Sequence, residues 1–420
     1  MNRFTKGIAL LLVLLISLTL FGCAEEPPAT IAPITDWDDG SSWVMTRFYS
    51  TSALSDEGYY FPVNDILYFA DTSNGIAVCL CSKPGCLHEK GSPQEQAACD
   101  ASLKGTAATP MFFWNDHIFH IRNDEYGTHV YRRNADGTAL TAVADIGSRY
   151  VKERKALQIN DSAFLGDYFY YSAQVMSPVS EEGVENIVVD LTYIGRLNLK
   201  TNKEEILLTI DHESVFLSAV CPEGMLIYYC EDTEAGYEDE DFFEQRLNAP
   251  SYVQFYDFET KETTTILSRT RQEIQSVSAV RGSKLYYTRS VENGGGIWEY
   301  DMKTGSDRKV SDTSGGSQID GRLVFKKVDG ISTLYHLPSG QFLPTAFAGE
   351  SLKAVCVSKD AVILQRTLYE GGRGTSLVYC YVKLADLADG LQEEDVLDLY
   401  TYYYKKPASS YEEMLDQMEG

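Results

Sequence analysis

The sequence offers almost no helix. Outside an apolar run near the start and a short stretch at residues 410–419, where Ser410 stands at a capping position, apolar residues do not recur at helical spacing. Positive charge is also scarce: 36 Lys and Arg face 61 Asp and Glu, for a formal net charge of −25. Such a chain is repelled by phosphate backbones and by anionic lipid, which excludes nucleic acid and direct electrostatic adsorption to a membrane. The short catalytic signatures are missing as well. There is no serine elbow, no phosphate-binding glycine loop and no HExxH, and the glycine runs at Gly294–Gly296 and Gly371–Gly374 lack the strand-to-helix context that phosphate binding needs.

What the chain does contain is a repeat. A turn followed by a strand with paired aromatic or aliphatic residues recurs at Asn64, Asn115, Gly166, Gly224, Gly282, Gly321 and Asp360, and further strands ending in polar turns start at Thr192, Tyr252, Ile297 and Thr333. A unit of about 40 to 58 residues cannot bury both faces of its sheet alone, so copies must stack, and strand-turn-strand copies stack radially. The expected fold is therefore an all-β propeller with seven blades, six or eight being the neighbouring counts. Ser218-Ala-Val, Ser278-Ala-Val and Lys353-Ala-Val occupy one repeat position and predict the strands that line the central channel. Asp136-Gly137, Thr304-Gly305 and Ser339-Gly340 predict the turns of outer hairpins. The ring needs closing, and both residues 43–50 and the strand text after Val396 are candidates for it.

The ends define the remaining parts. Residues 1–22 read as an export signal, with Arg3 and Lys6 before an apolar run too short to span a bilayer comfortably. Leu20-Phe21-Gly22-Cys23 resembles the lipobox of bacterial lipoproteins, which implies lipidation at Cys23, a new N-terminus there, and membrane attachment by acyl chains instead of a spanning helix. Residues 23–42, rich in proline, acidic and small residues, suit a flexible tether; residues 43–405 are the propeller and 406–420 a C-terminal tail.

The chemical candidate is one loop. Cys81, Cys86, His88 and Cys99 follow the spacing C-x4-C-x-H-x10-C, and four such donors suit a structural, tetrahedral zinc ion, with Lys83-Pro84-Gly85 as the turn that brings two thiolates together. Disulfides among the cysteines are the competing reading, since an exported compartment permits oxidation. Cys221, Cys230, Cys356 and Cys380 lie in strand patterns and read as buried apolar residues. His117 and His120 are three apart in a strand and point to opposite faces, which argues against joint ligation. The acidic insert after Glu231 lacks the glycine-centred spacing of a calcium loop and reads as a solvated loop. Asp36 to Trp43 resembles a sialidase Asp-box turn, but occurs once and has no counterpart in later blades.

The run CSKPGCLHE followed by CDA, behind a lipobox, resembles a group of uncharacterised Firmicutes surface lipoproteins with TolB-like β-propeller domains. That resemblance implies a surface propeller without established activity, in which Cys81, Cys86, His88 and Cys99 recur and Cys79 is an extra. The expected function is a lipid-anchored scaffold at the extracytoplasmic face of the cell membrane, binding a protein or glycan partner without catalysis. The alternative is a carbohydrate-active enzyme with its site in the central channel.

Overall fold

The computed structural model describes residues 43–403 apart from 46, 49–50, 89–90, 104–109, 125–126, 152–155, 182–183, 211–214, 232–240, 313–316, 319–322, 329–330, 348, 359 and 371–372. The segments read as export signal and tether, with Cys23, most of the segment resembling an Asp-box, the centre of the acidic insert and the C-terminal tail with Ser410 fall outside the described residues. No helix among the described residues is long and apolar enough to cross a membrane.

The described residues form seven antiparallel sheets, the seven-bladed β-propeller that the repeat predicts. Numbered in chain order, the blades begin with inner strands Ala53–Leu54, Met111–Trp114, Ala156–Leu165, Val215–Val220, Ser276–Arg281, Ser317–Gln318 and Ser351–Val357. The three Ala-Val segments thus do lie on inner strands, those of blades 4, 5 and 7. A bulge interrupts each, between Leu217 and Ala219, Val277 and Ala279, and Ala354 and Cys356, and blade 3 has its own between Ile159 and Ser162. In blades 4, 5 and 7 the bulge falls at the same place relative to the hairpin that follows, on Ser218, Ser278 and Val355, so Lys353-Ala-Val stands two residues earlier in its strand than its two counterparts. Gly137, Gly305 and Gly340 hold φ of 84°, 70° and 71° in the outer hairpins, a conformation that residues with a Cβ rarely adopt.

The first copy is displaced by one strand. Asn115 and Asp116 (φ 48° and 60°) join an inner strand to its neighbour, whereas Asn64 and Asp65 (φ 47° and 61°) join the second and third strands of blade 1, Gly58–Val63 and Ile66–Asp71. Two residues in the left-handed region make the same tight hairpin wherever it falls, so the dipeptide marks a turn without saying which one.

The seams between blades are apolar. Phe119 and Ile121 of blade 2 meet Phe169 and Tyr171 of blade 3, and Leu226 and Tyr228 of blade 4 meet Leu285 and Tyr287 of blade 5. Among the described residues no strand pairing joins the last blade to the first. All four strands of blade 7 come from residues 351–403 and all four of blade 1 from residues 53–79, and the two sheets meet through Phe61 against Tyr379 and Tyr400 (ring centroids 5.3 Å in each case) and Tyr68 against Tyr400 (5.6 Å). The text after Val396 supplies Leu397–Tyr403, the outermost strand of blade 7.

The chain before blade 1 does something other than close the ring. Val44 and Met45 pair with Val220 and Ala219 of blade 4, while Arg47 and Phe48 pair with Ser162 and Asp161 of blade 3. Both pairings are made by inner strands on the side away from their blades, so this segment lies on the channel wall. Trp43 fixes its start by donating from Nε1 to the Gly282 carbonyl of blade 5 at 3.1 Å.

Candidate metal centre and channel wall

The cysteine loop grows from a break in the outer strand of blade 1. That strand, Ala77–Cys79, pairs with Ile66–Asp71 and leaves it after Leu80, whose N–H still donates to the Leu67 carbonyl at 3.0 Å. The chain returns to the same edge twenty residues later: Leu67 donates to Ala101 (2.9 Å), Ser102 bridges Ile66, and Leu103 donates to Asp65 (2.8 Å). The edge of the sheet therefore holds both ends of the loop, and Cys81 and Cys99 stand at its neck.

Local chemistry brings in the other two donors. Pro84 and Gly85 make a tight turn in which Cys86 donates to the Lys83 carbonyl at 3.3 Å, and Gly85 takes a φ of 73°. His88 is itself left-handed, with a φ of 53°. A capping box between Ser92 and Glu95 starts the short helix Pro93–Ala97, and Cys99 follows its end, donating to the Gln96 carbonyl. Lys83 reaches across to the Ala98 carbonyl at 3.1 Å and ties the two arms.

The four residues singled out by spacing do converge. One ligand atom from each of Cys81, Cys86, His88 and Cys99 lies within 4.8 Å of every other, and His88 Nδ1 stands 3.7 Å from Cys99 Sγ. Zinc bonds of about 2.3 Å to sulfur and 2.0–2.1 Å to nitrogen place tetrahedral ligand atoms roughly 3.5–3.8 Å apart, so a small contraction of this group encloses an ion. No disulfide joins Cys81, Cys86 and Cys99 to one another in this arrangement. Cys79 lies outside the four, in the strand opposite Tyr68.

The environment separates the thiols. Burial opposes ionisation of Cys81, but the backbone donors of Lys83 and Asp100 and the thiols of Cys99 and Cys86 outweigh it and hold Cys81 below the ordinary thiol value. Cys99 is buried, and that burial pushes its thiol up, with the neighbouring thiols adding to the effect. The remaining cysteines are divided between two blades: Cys221 just after the inner strand and Cys230 at the end of the second strand of blade 4, Cys356 in the inner strand and Cys380 in the third strand of blade 7, all buried. Cys230 sits 3.1 Å from both the Tyr228 and the Ser251 hydroxyls.

Sequence reasoning missed Arg133. It projects from the third strand of blade 2, Gly127–Asn134, and donates to the carbonyls of Asp100 and Ser102, each at 3.2 Å, just beyond Cys99. Nothing in its neighbourhood in the sequence, Tyr131-Arg132-Arg133-Asn134, signals contact with a loop some thirty residues earlier. His120, on the adjacent strand, is buried and stacked on Tyr131 (5.5 Å); burial, then Arg133 and Arg122, push its pKa down to about 3. It remains neutral, and His117 lies on the opposite face of the strand, as the spacing of three predicts.

The channel wall has one feature of its own. Asp161 is the single carboxylate among the described inner-strand residues, and it lies at the bulge of blade 3 where Phe48 pairs. Burial pushes it up to about 7, against the opposing pull of the Ser172 hydroxyl and the Leu217 backbone N–H. Between about pH 4 and pH 7 the folded protein therefore holds a proton that the unfolded chain has released. Stability from this group is complete below the unfolded value near 3.9 and is lost as pH rises towards 7, by an amount of order a few kcal/mol. Asp161→Asn is expected to lose less stability than wild type between pH 5 and pH 8 in urea titrations. Parallel pH profiles for the two proteins would contradict that assignment.

No known protein family matches the chain, and no curated protein does. Solved structures do. A puromycin-hydrolyzing peptidase from Mycobacterium tuberculosis is 10% identical with a TM-score of 0.52, covering 91% of this chain and 58% of its own. An acylaminoacyl peptidase is 9% identical with a TM-score of 0.48 (89% and 54% covered), and TolB from Acinetobacter baumannii is 10% identical with a TM-score of 0.33 (80% and 76% covered). The chain thus spans a little over half the length of the two peptidases. At these identities the likeness is one of fold.

Proposed function

We propose that this chain is an extracytoplasmic propeller, acylated at Cys23 and held at the cell membrane, that serves as a binding scaffold for a protein or glycan partner. The observation that carries this reading is the state of the channel. Residues 44–48 lie on the inner strands of blades 3 and 4, and the described inner strands contribute one carboxylate, Asp161, where glycoside hydrolysis takes a pair. The cysteine loop supports the same reading. Four protein donors complete a tetrahedral shell without leaving a position for substrate, which is the pattern of a structural zinc site. Zinc would hold a loop of about twenty residues rigid at the rim of blade 1, and loops fixed on a rigid scaffold are where recognition resides.

Two measurements test the proposal together. Cys23→Ala should move the protein from the membrane fraction to the soluble fraction. The acylated protein, detergent-solubilised, should retain an envelope protein or glycan and release no reducing sugar from envelope polysaccharide. Sugar release that disappears in Asp161→Asn would replace the scaffold with a channel enzyme.

A further inference from the structure

Arg133 is 0% exposed, and among the described residues no carboxylate is paired with it. Its terminal nitrogens reach two carbonyls and its Nε has no hydrogen-bond partner. A guanidinium withdrawn from water costs several kcal/mol unless an opposite charge faces it. Two carbonyl dipoles return only part of that cost, and the buried group whose charge favours the cation is Cys99. Three thiolates, one neutral imidazole and a divalent ion leave a net charge of minus one. One guanidinium balances it.

Arg133 also belongs to a different blade from the ligands. The carbonyls it holds are those of Asp100 and Ser102, on the segment that carries Cys99 back to the sheet edge. Its face of blade 2 also presents Ile118, which packs in the same apolar cluster as Cys99, Ala101 and Leu103. A charge inside such a seam is screened less by salt and water than one at the surface.

We propose that Arg133 is the built-in counter-charge of a metal-thiolate centre at Cys81, Cys86, His88 and Cys99, positioned by blade 2 and coupling the seam between blades 1 and 2 to metal binding. This rests on the reading of the loop as a metal site. Its consequence has a definite sign in each state of the protein. With the ion bound, the positive charge stabilises the cluster; without it, the same charge is buried to no benefit.

The test compares wild type, Arg133→Lys and the neutral variants Arg133→Gln and Arg133→Met, using zinc affinity from competition with a chelating dye and urea unfolding of chelator-treated protein. The neutral variants should bind zinc at least tenfold more weakly than wild type, yet unfold at equal or higher urea once metal is removed. Arg133→Lys, which keeps the charge, should stay nearer wild type in affinity. A residue that merely props up two carbonyls would give the reverse: metal-free protein destabilised, and Lys no better than Gln or Met. Unchanged zinc affinity in both neutral variants would overturn the counter-charge alone. A wild-type protein that binds no zinc would overturn the metal site and, with it, this inference. Should one neutral variant fail to fold, the other carries the comparison.

Discussion

Phe61→Ala is expected to destabilise the protein by about 3–5 kcal/mol, the range for removing a large aromatic side chain from a packed core. Phe61 is 0% exposed and touches Tyr59 and Tyr68 in its own blade and Tyr379 and Tyr400 in blade 7. Its position matters as much as its size. Among the described residues no strand pairing crosses this seam, and Phe61 stands in the apolar cluster that blade 1 shares with Ile363, Leu399 and the tyrosines of blade 7. A total stability of about 5–15 kcal/mol leaves little reserve against such a loss. Amide exchange should rise first in Gly58–Val63 and Leu397–Tyr403, before the other blades. Exchange that rises evenly around the ring, or a loss below about 1 kcal/mol, would mean that the ring is closed by something else.

The second large effect is expected at the cysteine loop. Protein purified without added zinc should carry close to one equivalent, and Cys86→Ser should lose it. Apparent zinc binding energies in small metal-folded peptides reach about 10–16 kcal/mol because the metal there folds the whole chain. Here the neck of the loop is already closed by the edge of blade 1, through Leu80, Ala101 and Leu103, so the consequence should be more local. Limited proteolysis should open the chain between residues 81 and 100 in Cys86→Ser, or in wild type with a strong chelator, while the blades resist. If oxidation governs the loop instead, peptide mapping without reductant would recover a cross-link at Cys81 or Cys86, and the wild-type protein would contain no metal.

The parts of this molecule legible in the sequence are those encoded by neighbours in the chain. Ser218-Ala-Val and its counterparts disclose the inner strands because the same short text recurs shortly before a turn, within strands of six or seven residues. Gly137, Gly305 and Gly340 disclose outer hairpins because the backbone there needs a left-handed residue. The four candidate ligands are legible for the same reason, all lying in one loop. Where partners come from distant segments, the text is silent. Arg133 arrives from another blade with an unremarkable strand sequence around it, and the pairings of residues 44–48 are only two residues long, too short for any periodicity. Asn64-Asp65 fails in a third way, since its turn chemistry is correct but equally suited to either of two hairpins.

The claim on which the rest of the site depends is that Cys81, Cys86, His88 and Cys99 close around a single ion, and X-ray absorption at the zinc edge of the as-purified protein tests it most directly. The account predicts three sulfurs at about 2.3 Å and one nitrogen at about 2.0–2.1 Å, with no fifth ligand. A shell of oxygen atoms, or a protein with no zinc edge and a sulfur–sulfur bond inside the loop, would contradict it.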